Sequence, residues 1–172
     1  MSRRRLVVFL TSMILAMLLA GGVAWAAIQC HAGTDCRGNE GNDVMFGSQG
    51  SDTMYGLGGN DSLSGEAGGD TMYGGDGSER YMFGGAGGDL MNGGNGSEDL
   101  YGEDGWDKLS GGGWADTVDG GDGADSLSGG SGADTVDAGR ADGFEDYVDC
   151  GPGNDWFSVG PEDTVVNCEL EF

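Results

Sequence analysis

Positive charge is scarce in this chain: 7 lysines and arginines stand against 30 aspartates and glutamates, a formal net charge of −23. A surface this acidic repels a phosphate backbone, which excludes nucleic acid as a partner. Histidine is scarcer still. His31 is alone and sits beside two cysteines, outside the patterned part of the chain, where it reads as a solvated loop residue rather than a general base. GxSxG, HExxH and Walker-loop motifs are all missing. Trp106, Trp114 and Trp156 fall in different places of the pattern, so they form no binding stripe. Nothing catalytic is left, and the chain reads as no enzyme. Proline is nearly missing, at 2 residues, whereas glycine reaches 39, a composition that costs heavily in backbone entropy on folding.

Long apolar runs are lacking too, with one exception. Arg3, Arg4 and Arg5 precede an apolar stretch from Leu6 to about Val23, followed by Ala24, Trp25 and Ala26. That order reads as a secretory signal peptide, residues 1–26, cut after Ala26. The alternative is an uncleaved anchor, since the stretch approaches the roughly 20 residues that span a bilayer. The segment "SRRRLV" resembles a twin-arginine signal, while the apolar core favours the general secretory route. Cys30 lacks the Leu three residues earlier that a lipoprotein signal wants. No later segment is apolar enough to enter a bilayer, so the mature chain is expected to be secreted, with no stable membrane insertion. Four positive side chains then remain, Arg37, Arg80, Lys108 and Arg140, against all 30 acids, a net charge of −26. Such a chain should not collapse unaided.

What is abundant is a repeat. From Gly38 to Ser158 the chain divides into thirteen units, most of them nine residues long, as in "GGDGADSLS" and "GGSGADTVD". One unit has ten residues, "GGDGSERYMF", and one has twelve, "AGRADGFEDYVD". Glycines gather at the first, second and fourth places, where they are expected to open backbone dihedrals closed to other residues. The sixth place carries a carboxylate in every unit: Asp43, Asp52, Asp61, Asp70, Glu79, Asp89, Glu98, Asp107, Asp116, Asp125, Asp134, Asp146 and Asp155. The eighth place is apolar throughout, from Met45 to Phe157, with Tyr81 or Met82 filling it in the ten-residue unit. Side chains alternate across a strand, so places seven to nine form a short strand with one dry face. Carboxylates and carbonyls, with no His or Cys inside the units, suit a hard cation such as calcium.

This pattern resembles GGxGxDxUx, U being a large apolar residue, the hallmark of the RTX (hemolysin-type) calcium-binding repeat family. The resemblance implies an all-β parallel β-roll of about thirteen nonapeptide turns. Two units make one coil, and Ca2+ sits between successive turns on the same edge. Six or seven coils at the strand spacing give a rod on the order of 30 Å long. About eleven ions would bring about +22 against the mature −26, so folding and calcium binding should be one event. Trp114 at a fourth place, Glu79 with its neighbour Arg80, Glu98, and the long unit holding Asp146 should give the weakest sites. The favoured function is a secreted calcium-binding protein folded by its ion. The alternative is an RTX-type toxin or adhesin component, although the chain is read as repeat with no cytolytic or adhesive domain attached. A disordered polyanion is disfavoured because charge screening does not need the apolar eighth place. No feature designates a protein partner.

The cysteines frame the repeat. Residues 27–37, with Cys30 and Cys36, read as an N-terminal cap or linker before the roll at 38–158; residues 159–172 read as a C-terminal cap. Four cysteines allow three pairings, of which Cys30 with Cys36 and Cys150 with Cys168 is favoured; a zinc site is the alternative. The tail "VGPEDTVVNCELEF" repeats the second half of the motif in "EDTVV". Val165 or Val166 is expected to close the core there, with Asp163 as a secondary ligand.

Overall fold

The computed structural model describes residues 27–31, 33, 35–139 and 143–171. The expected signal peptide and Arg140 lie outside them. The described residues contain strands and no helix. Their apolar residues recur with a period of two rather than 3.6, which suits only extended backbone.

The strands wind alternately into two parallel sheets. A nine-stranded sheet begins with Ala27–Gln29 and Val44–Ser48 and ends with Leu170–Glu171; the intervening strands, from Asp35–Arg37 to Thr164–Val166, form an eight-stranded sheet. The eighth place fixes the register. Leu109 pairs with Met91 on one side and Leu127 on the other, and Val118 pairs with Leu100 and Val136. A slip of one residue would turn every one of these side chains to solvent. Between the sheets lies a core one side chain deep on each face, in which Met45, Met54, Leu63, Met72, Leu100 and Val136 are fully buried. In the middle of the rod the strands run on into the following turn, as in Thr53–Gly58 and Thr117–Gly123, and so exceed places seven to nine.

The architecture is the expected parallel solenoid, but its coil count is higher. Sheets of nine and eight strands make about eight coils, not six or seven. The addition comes from outside the thirteen units. Ile28 pairs with Met45, Cys36 with Met54, and Val165 with Val148. These segments lack the glycine turns, yet parallel pairing needs only backbone groups and one inward apolar residue. They cover the open strand edges of the repeat.

The ten-residue unit places Met82 in the core, while Tyr81 stays exposed. Leu63 pairs with Met82 and Ser62 with Tyr81, and the Arg80 N–H donates to the Asp61 carbonyl at 3.0 Å. Two residues, Arg80 and Tyr81, thus face one, which is a β-bulge. The favoured disulfides are both present, Cys30–Cys36 and Cys150–Cys168, with Cα separations of 5.6 and 5.1 Å. Cys30 follows the first strand of the larger sheet and Cys36 lies in the first strand of the smaller, so that bond ties the sheets together. Cys150–Cys168 spans 18 residues and joins one coil to the next.

Candidate metal centre

All thirteen sixth-place carboxylates are buried, none more than 7% exposed. The alternation of the coils sorts them into two rows. Asp43, Asp61, Glu79, Glu98, Asp116, Asp134 and Asp155 line a first edge; Asp52, Asp70, Asp89, Asp107, Asp125 and Asp146 line a second, with Asp163 continuing it. Within a row, the N–H of a sixth residue donates to the aspartate one coil on, whereas Glu79 and Glu98 accept no such bond and keep both oxygens without a partner. Asp70 donates to Asp89 at 2.7 Å, Asp89 to Asp107 at 2.8 Å, Glu98 to Asp116 at 2.9 Å and Asp116 to Asp134 at 2.9 Å.

That ladder uses one oxygen of each aspartate that accepts it. The second oxygen of Asp61, Asp70, Asp89, Asp107, Asp134 and Asp155 is buried without a hydrogen-bond partner, and Glu79 has two such oxygens. Orphaned buried carboxylate oxygens are costly unless a cation or donor completes them. The first-place glycine shows what surrounds them. A Cβ on Gly84 would lie 2.5 Å from Asp89 Oδ2 and 2.6 Å from the Gly102 carbonyl oxygen, and comparable collisions arise at Gly56, Gly65 and Gly111. A carboxylate oxygen and a carbonyl from the next coil therefore converge on a space no side chain enters. Among the described residues no three His, Cys, Asp or Glu side chains meet at one point. A cation here would rely on backbone oxygens beside its carboxylates, a donor set that fits calcium. The described cysteines are all disulfide-bonded, which removes the zinc alternative.

The glycine slots divide their work differently from expectation. Second and fourth places from Leu57 to Gly132 are left-handed, as at Gly94 (φ 114°) and Gly96 (φ 141°). First-place glycines such as Gly84 are not; they are needed for close approach alone. Non-glycine residues also occupy the left-handed places: Leu57, Glu66 and Glu103 at second places and Trp114 at a fourth, with φ from 73° to 84°.

Electrostatics follow burial. Burial first, and then neighbouring Asp89 and Asp52, push the Asp70 carboxyl up to about 6. Burial and the Asp61 charge raise Glu79 to about 7, and burial with Asp89 and Asp125 raises Asp107 to about 7. Glu98 and Asp116 are close enough to interact, and burial raises both. These groups resist ionisation in a fold with no cation beside them.

The first turn on each edge differs. Asn39 donates to Asp43 from its backbone N–H at 2.8 Å and from its amide at 2.9 and 3.0 Å, so both oxygens of Asp43 are occupied. Ser48 donates to Asp52 Oδ2 from its N–H at 2.7 Å and its hydroxyl at 2.8 Å. At the far end Gly160 N–H donates to Asp163 Oδ2 at 2.5 Å. Val165, not Val166, continues the eighth-place column, which puts Asp163 in the sixth place of a further turn. Spacing from "EDTVV" carried that signal; the roles of Asn39 and Ser48 had none.

Of the irregular units, the two with glutamate interrupt the ladder of the first row at Glu79 and Glu98, whereas the long unit and the Trp114 unit keep theirs. Asp125 N–H reaches Asp146 at 2.7 Å across the long insertion, and Asp116 keeps both ladder bonds beside Trp114. Arg80 is exposed, its guanidinium 5.7 Å from the Tyr81 ring centre, rather than turned inward to Glu79.

The family model of the RTX calcium-binding nonapeptide repeat matches in four copies, at residues 37–63, 46–79, 83–113 and 115–145, together more than half of the chain. No curated protein matches the chain.

Proposed function

Because the chain belongs to the RTX calcium-binding nonapeptide repeat family, we propose that it is a secreted calcium-binding β-roll with no catalytic activity of its own, folded by its ions. The observation that carries this reading is the set of buried carboxylate oxygens without partners along both edges. On the first edge Asp61, Glu79, Glu98, Asp116, Asp134 and Asp155 would hold calcium; on the second Asp70, Asp89, Asp107, Asp125 and Asp146 would. Carbonyls of first-place residues one coil on supply further oxygens. Asp43, whose oxygens are both hydrogen-bonded, serves first as the end of its row, whereas Asp52 ends the second row and keeps one oxygen without a partner for an ion.

Bound calcium supplies the positive charge that the chain lacks. The residues position the oxygens, exclude side chains from the space between them, and stack the turns close enough to share it. Two disulfides support an oxidising, extracellular setting. Far-UV circular dichroism through a calcium titration, with magnesium as control and disulfides intact, tests the reading. A cooperative gain of β signal specific to calcium is the expected outcome. A spectrum unchanged from EDTA to saturating calcium would overturn coupled folding.

A further inference from the structure

One groove lies beside the first carboxylate row and shares only Glu79 with it. It runs along the first edge in the N-terminal half, about 480 Å3 in volume, between the fifth-place residues of successive turns and the outer face of the larger sheet. Its floor is a second ladder. Asn42 Oδ1 accepts from Asn60 N–H at 2.8 Å, Asn60 Oδ1 from Ser78 N–H at 3.1 Å, and Ser78 Oγ from Ser97 N–H at 3.1 Å. With these oxygens held by backbone, what each residue still offers the groove is a donor: the amide NH2 of the asparagines and the hydroxyl hydrogen of the serines.

Two observations separate this row from the needs of the calcium turn. On the second edge only Ser51 repeats this bond, accepting from Gly69 N–H at 3.3 Å; Gly69, Gly88, Trp106 and Ala124 fill the next fifth places, so the turn itself requires no polar fifth residue. The β-bulge of the ten-residue unit falls on this same groove and brings one of the few cations, Arg80, to its wall beside Asp99. Bulges re-aim side chains at sites.

We propose that this groove binds a neutral, linear, hydroxyl-rich glycan. Its donors repeat at the coil rise, about 4.8 Å. An extended peptide presents same-side carbonyls every two residues, about 6.7 Å apart, and falls out of step; in an extended β-linked chain alternate pyranose rings are flipped, and same-side hydroxyls recur at about two coil rises and stay in step. Arg80 and Asp99 line the same wall, so hydroxyls that both donate and accept find partners in each. The acidic rod repels polyanionic chains. The volume lies in the range of sites that take small ligands.

The proposal goes beyond calcium binding but needs the folded roll, so the dichroism transition is read on the same samples. The calcium-saturated protein is titrated calorimetrically with cellohexaose, with the curling chain maltohexaose, and with an anionic hyaluronan octasaccharide. Cellohexaose is expected to bind best. Arg80→Gln and Asn60→Asp, which keeps the ladder oxygen and removes the donor, should each weaken it about tenfold in protein that has completed its calcium transition. If Asn60→Asp disturbs folding, Arg80→Gln carries the test. No binding of cellohexaose to protein that has completed its calcium transition, tighter binding of the anionic chain, or an Arg80→Gln protein that binds as wild type would overturn it.

Discussion

The first turn on each edge and the turns stacked behind it share one residue pattern and satisfy their carboxylates by different means. "GNEGND" at 38–43 and "GLGGND" at 56–61 differ by two residues. Asp43 has both oxygens bonded by Asn39, whereas one oxygen of Asp61 has no partner. The cause is position in the stack. An interior aspartate turns one oxygen to the N–H of the preceding coil; Asp43 and Asp52 have no earlier sixth residue on their edge and fold back on their own second-place N–H. Neither Asn39 nor Ser48 is left-handed, and neither are Gly41 and Gly50, while second and fourth places in the interior are. Asp43 is thereby satisfied without a cation, while Asp52 still leaves its Oδ1 without a partner, so counting aspartates overstates the demand at the start of the first edge.

Removing charge on the two sides of this comparison should have the largest effect. Asp107→Asn with Asp116→Asn keeps a ladder acceptor in each row and takes away the ionised oxygen, so the calcium midpoint should rise several-fold. Asp43→Asn should leave that midpoint unchanged and cost about 1 kcal/mol of stability in saturating calcium, the weight of a hydrogen bond made weaker. Calcium titration by circular dichroism and urea unfolding measure the two. Equal midpoint shifts would break the comparison.

Protons should stand in for calcium in the interior. Asp70 near 6, and Glu79 and Asp107 near 7, lie above the ordinary carboxylate range. A carboxyl raised in the fold binds protons there more readily than in the open chain. Its contribution to folded stability is complete below its open-chain value near 4 and is lost as pH rises through 6 to 7. In EDTA, β signal should therefore appear as pH falls from about 7 toward 4. In calcium the midpoint should rise over the same range, as protons compete for the same oxygens. A calcium-free chain equally unfolded at pH 7 and pH 4 would show that charge is not what keeps it open.

Much of this was legible in the repeat. The sixth and eighth places gave both carboxylate rows and the core, since each slot has one physical job and many copies state it. The ends were not, because Ile28, Cys36 and Val165 join the sheets through backbone pairing that no glycine announces. The close approach at Gly84 was hidden for another reason: glycine serves equally for a left-handed dihedral and for a missing Cβ, and only the neighbouring coil shows which. Asn39 and Asn60 are both asparagines in polar turns, yet one closes a carboxylate and the other builds a groove. Their difference lies in which coil stands next to them.

The smallest expected effect carries a sign that separates ends from interior. Trp114 holds φ 81° at a fourth place and is 73% exposed, so it contributes little burial to offset a left-handed backbone that costs about 1–2 kcal/mol. Trp114→Gly relieves that strain and adds about 0.5–1 kcal/mol of unfolded-state entropy against folding. The net is a stabilisation of under about 1 kcal/mol. Ser48→Gly has no left-handed strain to relieve; it removes the hydroxyl bond to Asp52 and loosens the unfolded chain, so it destabilises by about 1–2 kcal/mol. Urea unfolding in saturating calcium reads both. Opposite signs from one kind of substitution would place the boundary between end and interior turns, whereas a destabilised Trp114→Gly would mean that the indole earns its place through contacts outside the turn.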